Sequence, residues 1–194
     1  MLDACTAVKT EFGLGLRKLE LVRGRVALKP SPAWDRPVEV IHATRRLLAF
    51  GRALDIACLG EGRGDGQSDG LAVTAVDGLI FVQRPGRDTV RLDSGERLTW
   101  SGATGLKTDR PTLEAVTAWQ DGRLVFVDDT LASATAQINR YSLRPITIED
   151  ASLGALRISG SYKTRSAQAF GRAVAMLYGL QLVDEPDRFI LRRG

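Results

Sequence analysis

The pattern of apolar and polar positions changes once along the chain, close to Trp119. Before that point short apolar runs, alternating or continuous, are cut by glycine and proline at short intervals, the signature of strands joined by turns. Leu19 to Leu28 reads as two short strands broken at Gly24, and Val38–His42, Leu47–Phe50, Leu54–Leu59, Leu71–Val76, Gly78–Gln83, Val90–Leu92 and Arg97–Trp100 follow as further strands. Pro30, Pro32 and Pro37 bound a loop, because proline cannot donate to a ladder. Pro85-Gly86 and Asp93-Ser-Gly95 mark turns. Gly60 to Gly70 holds five glycines and no apolar residue, so it reads as a strand-joining loop. At least eight strands without a helix predict a closed or stacked β-rich N-terminal domain, sandwich or solenoid-like, over residues 1–110. A linker is expected over 111–118, beginning at Pro111.

From Trp119 the period lengthens. Residues 119–194 carry a strand–helix–strand pattern twice, offset by 36 positions: Ala134 aligns with Phe170, Ile138 with Val174, Tyr141 with Leu177 and Ile146 with Leu182. In the first copy Leu131, Ala134, Ile138 and Tyr141 form one stripe on a helix that Asp129 or Thr130 can cap. In the second, Phe170, Ala173, Val174 and Leu177 do the same, Thr164 or Ser166 can cap, and Gly179 ends the helix. A last strand, Arg188–Arg192, is added after a turn. The prediction is a small α+β C-terminal domain of two βαβ units.

Composition narrows the function classes. The chain has 194 residues, 44% hydrophobic and 26% charged, with a formal net charge of +4. The basic residues are nearly all arginine, scattered among 23 acids, and no basic run with interleaved aromatics appears. A groove that tracks a nucleic-acid backbone needs such a run, so nucleic acid is not an expected partner. No apolar stretch has the length of a membrane span, and the N-terminus lacks the pattern of a signal peptide. Cys5 and Cys58 could pair, but Cys58 lies in an alternating apolar stretch and reads as a small buried side chain. Two cysteines and one histidine do not make a zinc site, and no metal or other cofactor is expected.

Candidate chemistry is sparse. A serine or cysteine nucleophile needs a base, and the one histidine, His42, sits in a strand pattern without a motif around it. Asp128-Asp129 ends a strand before a helix, where carboxylates complement the helix dipole. Trp119 reads as a core anchor, with an exposed aromatic hot spot for binding as the alternative. The glycine-rich loop lacks the Gly-Lys-Ser/Thr of a phosphate loop, Arg63-Gly-Asp65 is a weak adhesion signal, and Asp65 with Asp69 does not match calcium-loop spacing. No catalytic residue is assigned, and the chain is expected not to be an enzyme.

The order of particular residues carries more. Trp119-x-x-Gly122-x-Leu124-x-Phe126-x-Asp128-x-x-Leu131, then Asn139-Arg140-Tyr141, Pro145-Ile146 and Leu156-Arg-Ile-Ser-Gly160, closely resembles the C-terminal part of FecR-type sigma regulators, which are anti-sigma factors. Upstream, Leu21-Val-Arg-Gly24-x-Val26, Arg36-Pro37-Val38-x-Val40, Ala49-Phe-Gly51, Val73-x-x-Val76-x-Gly78-x-Ile80-x-Val82 and Leu92-x-x-Gly95-Glu96 resemble the β domain of that family. One departure follows Gly51, where the family has Thr-x-Phe-x-Val and this chain has Arg52-Ala-Leu-Asp-Ile56.

The resemblance implies a periplasmic signal-receiving region whose C-terminal module, 119–194, is akin to the short domain shared by secretins and TonB-dependent transporters. Its implied partner is the N-terminal signalling domain of a TonB-dependent outer-membrane transporter. An extracytoplasmic-function sigma factor would be reached only through a cytoplasmic domain and a membrane span expected outside this sequence. Strand addition to an open edge is the expected docking mode, at Ile146–Ile148 or at the last strand with Phe189 and Leu191. Asn139, Arg140, Tyr141 and Arg144 are the expected contacts beside it. An alternative reading is a short-domain fragment acting structurally in a secretin or transporter assembly; a small periplasmic enzyme is a third.

Overall fold

In the computed structural model, which describes residues 1–13, 16–29, 37–43, 45–59, 70–84, 87–101 and 105–194, the chain divides into two units, Met1–Val116 and Thr117–Gly194. The expected loops at Pro30–Arg36 and Gly60–Asp69, with the Arg63-Gly-Asp65 tripeptide, and the Pro85-Gly86 turn lie outside the described residues.

The first unit is built on strands β1 (Ala7–Gly13), β2 (Leu16–Arg23), β3 (Arg25–Leu28), β4 (Val38–His42), β5 (Arg45–Leu59), β6 (Gly70–Arg84), β7 (Arg87–Leu92), β8 (Arg97–Ser101) and β9 (Gly105–Asp109), followed by a short helix α1 (Leu113–Thr117). They form one open sheet in the order β1-β2-β4-β5-β6-β8-β9, with β3 beside β5 and β7 beside β6. The β-rich reading holds, but several boundaries move. Leu47–Phe50 and Leu54–Leu59 are one strand of 15 residues, and so are Leu71–Val76 and Gly78–Gln83. The apolar pattern breaks inside each strand because the ladder slips between Gly51 and Leu54 opposite Asp77 and Gly78. Inserting a residue switches which alternate side chains face inward. Leu47 and Ala49 are therefore buried before the slip and Leu54 and Ile56 after it; on β6, Leu71, Val73 and Ala75 give way to Ile80 and Val82. All of them meet in one core. The departure at Arg52-Ala53 falls on this irregularity.

Segment 7–13, whose polar sequence carries little strand signal, pairs with β2 from end to end. The expected linker is not plain coil: α1 occupies Leu113–Thr117, and Val116 accepts a hydrogen bond from Arg25, whose Nε is also paired with the buried Asp55 at 2.8 Å. Gly24, at φ +89°, separates β2 from β3, and a Cβ there would lie 2.6 Å from the Thr6 Cα.

The second unit opens on a 3-10 turn, Ala118–Asp121, in which Trp119 is buried, as a core anchor should be. Then come β10 (Arg123–Thr130), α2 (Leu131–Asn139), β11 (Ile146–Ile148), a second 3-10 turn (Ala151–Ala155), β12 (Arg157–Lys163), α3 (Ala167–Tyr178), β13 (Leu180–Asp184) and β14 (Phe189–Arg193). The strand–helix–strand order appears twice, yet the two strands of a copy never pair with each other. The first strands, β10 and β12, pair antiparallel; the second strands, β11 and β13, flank β14, which is parallel to β11 and antiparallel to β13. Each copy thus contributes to two separate sheets, in place of two self-contained βαβ units.

Thr130 caps α2 by accepting from the Ser133 N–H, and Gly179 ends α3 in the left-handed conformation. Leu131, Ala134 and Ile138 are fully buried, as their spacing requires. On α3 the stripe is rotated from the expected one: Ala167, Phe170, Gly171 and Val174 are buried, whereas Ala173 is exposed and Leu177 is 63% exposed. Phe170 sets this rotation by closing an aromatic cluster with Phe126 and Tyr162, at centroid distances of 6.1 and 4.9 Å.

Candidate functional site

The residues expected to contact a partner separate into three groups. Ile146, Phe189 and Leu191 are buried. β14 is the centre of its sheet and has no open edge, which corrects the expectation of docking there. Its backbone is used on both sides: toward β11 the Phe189 N–H donates to Pro145 at 2.8 Å and the Leu191 carbonyl accepts from the Glu149 N–H at 3.0 Å, and on the other side the strand pairs with β13 from Phe189 to Arg193. The strand alternates Phe189 and Leu191 inward with Ile190 half-buried between them, a pattern that central and edge strands share.

Asn139 and Arg144 are engaged within the unit. The Asn139 amide donates to the Ile146 carbonyl and accepts from the Ile146 N–H, both at 2.8 Å, so it occupies the outer edge of β11 as a neighbouring strand would. Ile148, half-buried, continues that edge. Arg144 pairs with Asp184, donates to the Glu185 carbonyl and stacks over Phe189 with its guanidinium carbon 4.2 Å from the ring centre. The hydrogen bond from Arg144 is the main reason the Asp184 carboxyl is held below the usual carboxylate range. These contacts fasten the loop after α2 to the β13–β14 hairpin.

Tyr141 and Arg140 remain at the surface, half-buried. Tyr141 opens onto a groove of about 750 Å³ between that loop and the start of α3, lined also by Leu143, Arg144, Arg165, Gln168 and Phe189. Leu143 is fully exposed at its rim. Leu143, Arg165 and Gln168 were not among the expected contacts; the exposed apolar residue between Ser142 and Arg144 is the signal in the sequence that marks Leu143. Gln168 donates to Asp184 at 2.9 Å.

The second unit holds no histidine or cysteine, so the groove has neither a thiol nor an imidazole. His42 is buried in the first unit, its Nδ1 2.7 Å from the Leu21 carbonyl, so it is a satisfied core histidine. Cys58 Sγ lies 3.6 Å from that nitrogen, and Cys5 and Cys58 are not joined in a disulfide. Asp129 accepts from the Val127 N–H and Asp128 stands at φ +54°, so the acid pair shapes the end of β10 while Thr130 does the capping. Among the described residues no group of three or more His, Cys, Asp or Glu could hold a metal ion. No described helix is long and apolar enough to cross a membrane.

No protein-family model matches the chain, and no curated protein does. Two crystal structures match it along its whole length, each described as that of a "putative anti-sigma factor" from Parabacteroides distasonis ATCC 8503. Both are 21% identical to the chain; the TM-scores are 0.81 and 0.80, over 100% of this chain and 89% and 88% of theirs. The chain shares their fold. The likeness takes in the strand-rich unit and the doubled unit alike, so it concerns the combination and not one half of it.

Proposed function

We propose that this chain is the signal-receiving region of a FecR-type sigma-factor regulator, and that it works in the periplasm by binding rather than by chemistry. Its partner is the N-terminal signalling domain of a TonB-dependent outer-membrane transporter. An inner-membrane span and a cytoplasmic domain beyond this sequence would carry the signal to an extracytoplasmic-function sigma factor. The observation that carries the reading is the full-length likeness to the anti-sigma-factor structures, reached by a chain whose motifs from Trp119 to Gly160 independently resemble that family. The interior of the second unit agrees: it is apolar, and its polar side chains brace loops and strand edges.

The test is calorimetry of the chain against purified signalling domains from the transporters of its source organism, with a sigma-dependent reporter read in cells that carry the full regulator. Binding of one domain, together with reporter activity that changes when that transporter is loaded, is the expected result. If no signalling domain binds and the reporter ignores every transporter, the reading is wrong.

A further inference from the structure

Strand edges that are left open invite pairing, and proteins usually block those they do not use. In the second unit three of the four outer edges carry a block. The Asn139 side chain covers β11 at Ile146. β10 is interrupted by a register slip between Phe126 and Asp129, with the Asp129 carboxylate on the Val127 N–H. β12 is kinked at Gly160, φ +144°, and the Tyr178 hydroxyl donates to its Arg157 carbonyl. β13 has none of these: it pairs with β14 over Leu180–Asp184 without a slip.

The groups on its open side can be named. The Glu185 N–H donates to the Arg188 carbonyl at 3.0 Å, which makes those two a hydrogen-bonded pair. Alternation along an antiparallel ladder then turns the backbone of Val183 and Gln181 toward β14, and that of Leu180, Leu182 and Asp184 outward. Above this edge lies α3. Gln168 touches Asp184, and a Cβ on Gly171 would lie 2.8 Å from Leu182, so α3 rests on β13 through those positions. Arg172 and Met176 stand four and eight residues after Gln168 on α3 and are exposed, and Arg165 lies in the turn before the helix. Met176 is 88% exposed, and Arg165 leads into the groove beside Leu143.

We infer that the open edge of β13 is the docking strand for the partner, an inference that rests on the function proposed above. The occupant is an extended strand of the transporter's signalling domain. Its side chains on the α3 side are carboxylates that meet Arg172 and Arg165. Charge selects this occupant over a second copy of the chain: antiparallel pairing of two β13 strands about Leu182 would bring Arg172 of each copy toward the other near the two-fold axis, where like charges repel.

The experiment combines hydrogen exchange with calorimetry, using the whole chain and the signalling domain that binds it. The Leu182 and Asp184 amides should gain at least tenfold protection in the complex, while that of Ile148 does not change. Arg172→Glu with Met176→Glu should weaken binding at least tenfold with an unaltered circular dichroism spectrum, and Val127→Glu on the other sheet should leave it unchanged. A domain that binds without protecting Leu182 or Asp184, and ignores the double substitution, overturns the edge assignment and leaves the proposed function standing. Absence of binding by every signalling domain overturns both. Protection that rises with the chain's own concentration, without the domain, would give the edge to a second copy and overturn the choice of occupant.

Discussion

Replacing Asn139 by alanine separates a brace from a contact residue. Asn139 makes two hydrogen bonds of 2.8 Å to the backbone of the buried Ile146, and its loss leaves that N–H and C=O without their partner on the outer edge of β11. A hydrogen bond of this kind contributes about 0.5–1.5 kcal/mol net, so the pair is worth roughly 1–3 kcal/mol. Because Asn139 is half-buried, water can reach part of the gap, and about 2 kcal/mol is the expected loss. For a unit of this size that lowers the melting temperature by roughly 8–16 °C. Asn139→Asp sharpens the test: its oxygen can still accept from the Ile146 N–H, but the second oxygen faces a carbonyl, so at neutral pH it recovers at most one of the two bonds. The measurement is thermal and urea unfolding by circular dichroism, with exchange of the Ile146 amide as the local reading. A change under about 0.3 kcal/mol in Asn139→Ala, or wild-type stability in Asn139→Asp, would refute the clamp and return Asn139 to the list of contact residues.

Three further outcomes follow from the same structure. Ile138→Ala should cost about 2–5 kcal/mol because the side chain is fully buried, whereas Leu177→Ala, one repeat removed from Tyr141, should stay within about 0.5 kcal/mol; urea midpoints of the two variants compare them directly. Gly24→Ala should destabilise the first unit by at least about 2 kcal/mol, since it adds left-handed strain to a Cβ placed against the Thr6 backbone, and Thr6→Gly should not restore it because the strain at φ +89° remains. Asp184 and Asp109 both have lowered pKa values, chiefly through hydrogen bonds from Arg144 and Arg97. Their contribution is therefore complete above the ordinary carboxylate range and lost as pH falls through the lowered values, so unfolding midpoints should be flat from pH 8 to about 5 and fall below about 4; a loss centred between pH 6 and 7 would refute the assignment to these two carboxylates.

Much of the architecture was legible because short-range physics writes it. Glycine and proline spacing located most strands of the first unit, and the 3.6-residue period with Thr130 and Gly179 located both long helices. Trp119 was readable as a core anchor, whereas the strand pattern around His42 left open whether it is satisfied inside or exposed at the surface. β1 escaped because Ala7–Gly13 has little apolar alternation, and its pairing with β2 supplies what its own sequence lacks. β5 and β6 looked like two strands each because alternation loses phase at a slip, and a slip in the ladder and a break between strands leave the same mark on a sequence.

The candidate site was less legible. Periodicity says which positions of α3 are apolar, but Ala167, Phe170, Gly171, Val174, Met176 and Leu177 offer two overlapping stripes, and only the place of Phe170 between Phe126 and Tyr162 selects one. Likewise the residues of β13 and β14 are both strand-like, and nothing local distinguishes a strand with neighbours on both sides from one with a neighbour on a single side. That difference is set by which copy of the repeat lends its second strand to which side of β14. By itself, then, the sequence determined the two kinds of unit, the doubled pattern and the helix ends, since each depends on residues within a turn or two of one another. The slip that unites the halves of the β core, the rotation of α3 and the open edge of β13 were decided by tertiary structure, because each depends on pairing between segments whose separation along the chain carries no local signal.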